Sequence, residues 1–144
     1  MKPHAWKIEW NEGMSVGIPE VDADHKRLVT LIEDLNRAIV DRLELDQIKQ
    51  RLQAILDDTV EHFSREEKLL RECRYPDVEY HARKHADVLK ALLAIQERFI
   101  VYGLQSEWIG TGLEVKNILI DHLLTEDMKY AEFYRNEIQA RGTR

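Results

Sequence analysis

Apolar residues recur along this chain at alternating spacings of three and four, the period of a helix with one buried face. Leu28, Ile32, Leu35 and Ile39 form such a stripe, predicting a first helix over about 20–42. Ile48, Leu52, Ile55, Thr59, His62, Glu66, Leu69 and Cys73 form a second, over about 45–73. Pro76 ends that helix and Asp77 is a suitable N-cap for the next. Val78, His81, His85, Val88, Leu92, Ile95 and Phe99 mark a third over about 77–101, closed by Gly103. A fourth carries Val115, Ile118, His122 and Thr125. It starts near Ser106, or else at the capping-box sequence Thr111-Gly112-Leu113-Glu114, and runs to about 128. A short closing helix is expected over 129–141, on Tyr130, Phe133, Tyr134 and Ile138. Residues 1–18, with Trp6, Trp10, Gly13, Gly17 and Pro19 after them, lack helical periodicity and read as an extended arm. The fold class is therefore all-α, an antiparallel up-down-up-down four-helix bundle in a single domain of 144 residues.

Within these stripes, polar residues stand where leucine or isoleucine belongs. His62 and Glu66, and likewise His81 and His85, are four apart and share a helical face, being about 40° apart around the axis. His25 lies one step back from Leu28. His122 and Asp127 are five apart, about 140° on a regular helix, so both face inward only if the fourth helix loosens near Thr125 or frays at Asp127. His25 and His81/His85 lie near helix starts, His62/Glu66 and His122/Asp127 near helix ends. An antiparallel bundle brings all of these to one end of the molecule.

One histidine on an apolar face is ordinarily a core residue. Five imidazoles and two carboxylates in one layer would each carry a desolvation cost if left unpaired, and multivalent cations remove it. Seven donors exceed the needs of one tetrahedral zinc. They suit two octahedral first-row metals, iron before manganese, bridged by Glu66 and Asp127. The Glu-x-x-His pairs of ferritin-like centres are missing: Thr59, Val78, Ala82 and Leu119 stand three places before His62, His81, His85 and His122. Neutral imidazoles stabilise high-valent iron less than carboxylates do, so this set favours reversible uptake of O₂ over cleavage of its O–O bond.

The remaining composition narrows the field. A net charge of −6 and no basic stripe argue against nucleic-acid binding. No run approaches the roughly 20 apolar residues of a membrane span, and the N-terminal residues lack a signal peptide's apolar core. A lone Cys73 fits a reducing cytoplasm, and is expected to be a buried structural thiol. His4 is expected to be exposed and Glu67, about 100° from Glu66, to be a solvated charge.

The set His25, His62-x-x-x-Glu66, His81-x-x-x-His85, His122-x-x-x-x-Asp127 resembles that of the hemerythrins, especially the single-domain bacteriohemerythrins. Trp10…Met14-Ser15-Val16-Gly17…Asp24-His25 and His62-Phe63-Ser64-Arg65-Glu66-Glu67…Tyr75-Pro76 are similar to that family as well, and the likeness runs from about 8 to 135. The resemblance implies that Glu66 and Asp127 bridge two irons together with an oxo or hydroxo group. His81, His85 and His122 would complete one iron, and His25 and His62 would hold the other, leaving a position open for O₂. Leu28, Phe63 and Ile118 are candidates for lining that pocket; members often carry Trp where this chain has Ile118. The function expected is O₂ storage, transport or delivery by a non-enzymatic monomer with no catalytic residues. The alternatives are a sensor acting through a protein partner, a di-iron peroxidase or oxidase, and a structural zinc bundle.

Overall fold

The computed structural model describes residues 8–102 and 108–142, with side-chain detail ending at Arg98 before the gap, resuming at Gly110 and stopping at Glu137. The expectations for His4, Trp6, Phe99, Gly103, Ser106 and Ile138 fall outside those limits. The helices are α1 (Pro19–Val40), α2 (Leu45–Glu72), α3 (Val78–Tyr102), α4 (Trp108–His122) and α5 (Met128–Gly142). Each of the first four packs on its chain neighbour, and α1 packs on α4, closing a four-helix bundle. None of the helices is long and apolar enough, among the described residues, to cross a membrane.

The two tight connections share one device. Arg42 and Arg74 adopt left-handed backbone conformations, with φ of 56° and 58°. Beyond them, the Leu43 amide reaches back to the Ala38 carbonyl and the Tyr75 amide to that of Leu70. These are Schellman closures, which satisfy carbonyls that the helix end leaves open. Both reverse the chain within a few residues, which sets the antiparallel order.

The arm is fastened to the start of α1. The Asp22 carboxylate accepts hydrogen bonds from Ser15 Oγ (2.6 Å) and the Val16 amide (2.9 Å). A 3-10 turn at Glu12–Met14 precedes that anchor. Met14, Val16 and Ile18 are buried.

Among the described residues the interior has two larger apolar parts and a small cluster of Met14, Val29 and Leu123. An aliphatic core of Leu28, Ile32, Leu35, Ile48, Leu52, Ile55, Leu92, Ile95, Val115 and Leu119 fills most of the bundle. A second cluster, with Val16, Ile18, Val21, Leu70, Tyr75 and Tyr130, closes one end. The polar layer described below lies between them.

Two details depart from expectation. The fourth helix is already formed at Trp108, so of its two expected starts the one at Thr111 is set aside. Gly112 sits inside it, against α1: a Cβ there would fall 2.2 Å from Asn36 Oδ1. The glycine permits close helix packing and is not a helix boundary. Cys73 caps α2 only partly buried, its thiol 3.6 Å from the Leu70 carbonyl.

Candidate metal centre

His25, His62, Glu66, His81, His85 and Asp127 are each 1% exposed, and His122 is 6% exposed. Their donor atoms meet in two groups that share the carboxylates. In the first, His25 Nε2 lies 3.0 Å from His62 Nε2 and 3.2 Å from Asp127 Oδ2, and His62 Nε2 lies 3.1 Å from Glu66 Oε2. In the second, Glu66 Oε1 lies 2.7 Å from His81 Nε2 and 3.0 Å from His85 Nε2. Asp127 Oδ1 is 3.1 Å from the Nε2 atoms of both His81 and His122. Each carboxylate thus gives one oxygen to each group.

A local change in helix geometry brings Asp127 into place. Residues Leu123–Asp127 form a π-helical turn that joins α4 to α5. The wider turn offsets the five-residue step from His122, so both side chains face inward. Thr125 Oγ1, in this turn, donates to the Asp121 carbonyl at the end of α4 at 2.7 Å.

Donor geometry and chemistry both fit metal ions. Two atoms bound to one ion at about 2.1 Å and at right angles are about 3.0 Å apart, matching the contacts here. His25 Nε2 and His62 Nε2 face each other, which suits two lone pairs directed at a shared ion. His122 Nε2 and Asp127 Oδ1, though 3.1 Å apart, are not aligned for a hydrogen bond, and both are buried without a partner.

The outer ring nitrogens are held by carboxylates. His62 Nδ1 donates to Asp24 Oδ2 (3.1 Å) and His85 Nδ1 to Glu67 Oε2 (2.8 Å). A neutral imidazole has one N–H; committing it at Nδ1 leaves the Nε2 lone pair free for a cation. Asp24 is itself fixed by Arg65 and Arg27. Partial burial raises its pKa, but the hydrogen bonds from Arg65, His62 and Arg27 prevail and bring it to about 2. Tyr130 OH donates to Glu66 Oε2 at 2.9 Å.

Without metal, protons offset the buried negative charge. Burial pulls the pKa values of His25 and His81 down, yet the carboxylates of Asp127 and Glu66 close against them raise both to about 9. His62 is raised too, its bond to Glu66 outweighing burial. Burial alone would raise Glu66, but the surrounding histidines hold it well below the ordinary carboxylate range. For Asp127, burial and the Glu66 charge act upward, and His122, His25 and His81 bring it below its usual value. Burial, then the two carboxylate charges, push the Tyr130 phenol well up.

The three pocket candidates occupy different places. Leu28 is buried at the top of the aliphatic core. Phe63 stacks on His85, with ring centres 3.7 Å apart, and lies 5.9 Å from His62. Ile118 lines a groove of about 290 Å³ between α3 and α4, together with Lys84, Asp87 and His122. Glu67, expected to be solvated, is instead the partner of His85. The ring nitrogen of a liganding histidine needs an acceptor, so a carboxylate beside a ligand was the available signal. Tyr130 carried no comparable signal in the tail stripe.

The chain matches the family model described as Hemerythrin HHE cation binding domain over residues 16–134. It is 26% identical over 125 residues to a bacteriohemerythrin of Stenotrophomonas maltophilia, covering 87% of this chain and 80% of that protein. A bacteriohemerythrin of Pseudomonas aeruginosa is 25% identical over 133 residues, covering 91% and 84%. A solved wild-type hemerythrin superposes with a TM-score of 0.77 at 21% identity, covering 87% of this chain and 95% of its own.

Proposed function

The chain belongs to the hemerythrin family, and on that premise we propose that it binds dioxygen reversibly at two iron ions bridged by Glu66 and Asp127. The observation that carries this reading is the division of each carboxylate's two oxygens between two groups of imidazoles. His81, His85 and His122 complete one group and His25 and His62 the other, which has one protein donor fewer. The mixed imidazole and carboxylate set favours iron. When bound, the reduced metal pair supplies the electrons for reversible dioxygen binding.

The residues around the donors serve that function by holding the site rigid and dry. Asp24 and Glu67 fix the tautomers and ring planes of His62 and His85. Tyr130 donates to Glu66 and stabilises its ionised form. The aliphatic core on one side and the Tyr75–Tyr130 cluster on the other keep bulk water from the layer. Such exclusion slows the loss of electrons to solvent species that would end reversible binding.

The test is to mix iron-loaded, anaerobically reduced protein with dioxygen and then apply vacuum. Full optical reversal through several cycles supports the carrier. Rapid one-way oxidation would show an oxidase and overturn it.

A further inference from the structure

Thr59 stands in the interior of α2, three residues before His62, and is 0% exposed. A threonine inside a helix commonly returns its hydroxyl to the carbonyl four residues back. Thr30 does so to Lys26, and Thr125 to Asp121. Thr59 does not: its Oγ1 is buried and makes no hydrogen bond to any protein group.

Its level in the bundle gives that hydroxyl a purpose. One turn from the histidines toward the aliphatic core, the four helices present Leu28, Thr59, Val88 and Leu119, each three residues from His25, His62, His85 and His122 respectively. Leu28 and Leu119 belong to the aliphatic core, and the partly buried Val88 packs against it. Thr59 is the polar member of this layer. The Arg27–Asp58 ion pair (2.7 Å) and the His25–His62 contact (3.0 Å) fix the α1–α2 register on either side of it. Glu66 lies a turn beyond His62 on α2, away from Thr59. Asp127 likewise follows His122 in the chain while Leu119 precedes it, so the His25–His62 group receives both carboxylates from one side and meets the Thr59 layer on the other.

We propose that Thr59 is the hydrogen-bonding residue for a small ligand held on the His25–His62 side of the centre, the ligand being dioxygen or a small linear anion. The proposal rests on the dinuclear reading above. In this layer the hydroxyl donates to the far atom of the ligand, while the buried Leu28 and Leu119 exclude water. Valine has the same shape, and packing alone would favour it, because an unpartnered buried hydroxyl is destabilising. Thr59 acts here as a ligand-positioning residue.

The test is an optical azide titration of the iron-loaded, oxidised protein, with iron counted per chain. Thr59→Val and Thr59→Ala are both expected to weaken azide binding about tenfold, the loss of one hydrogen bond. Both should keep two irons per chain, and Thr59→Ser should restore the affinity. Metal-free Thr59→Val should unfold no earlier than the parent protein. Equal azide affinity in parent and Thr59→Val, at two irons per chain, would overturn the role of Thr59 and leave the dinuclear reading intact. A parent protein that takes up fewer than two irons overturns that reading, and the proposal with it.

Discussion

At the scale of single residues, the centre is a competition between protons and cations for the same Nε2 atoms. In the metal-free protein, His25 and His81 titrate near 9, above their ordinary value of 6.5, because Glu66 and Asp127 lie against them. A raised pKa in the folded state adds stability that is fully present below about 6.5 and lost as pH climbs through about 9. The metal-free protein is therefore expected to lose on the order of a few kcal/mol of stability across that window, read as a falling denaturation midpoint. Metal uptake should run the opposite way and strengthen from about pH 6.5 to 9, since bound protons must leave first. Calorimetry in two buffers of different ionisation enthalpy would count those protons. The outer carboxylates matter at this scale as well. Glu67→Gln keeps the size of the side chain but weakens its hold on His85 Nδ1, and about tenfold weaker metal binding is expected in a chelator competition.

At the scale of helices, what the sequence reveals depends on whether a position has one duty or two. Leu28, Ile32, Leu35 and Ile39, or Ile48, Leu52 and Ile55, only face a core, so their spacing marks the buried side of α1 and α2 directly. The seven polar positions were legible for the same reason: they interrupt those seams at one level. Of the two starts offered for the fourth helix, the one at Thr111-Gly112 falls inside α4: a glycine at a close helix contact and a glycine at a helix boundary look alike in one dimension. Glu67 was misread because its partner, His85, is on another helix. The five-residue step from His122 to Asp127 required an irregularity, and the π-helical turn at Leu123–Asp127 supplies it. Thr125, in that turn, bonds the Asp121 carbonyl at the end of α4. Thr125→Val is expected to cost about 1 kcal/mol, seen as a lower urea midpoint. It should also loosen metal binding, because the turn aims Asp127.

At the scale of the whole molecule, the bundle has a charged layer between its two larger apolar cores, and that layer is costly unless cations fill it. A chain held together this way gains stability from its metal and loses it to a chelator. On the function proposed above, dioxygen binds on the His25–His62 side, which has one protein donor fewer. The measurement that reaches the central claim most directly is the iron content of the anaerobically reconstituted protein, set against Glu66→Ala and Asp127→Ala prepared in parallel. Two irons per chain in the parent, with loss of the pair in both variants, is the expected result. A single ion in the parent, or a full pair surviving without either carboxylate, would contradict the account.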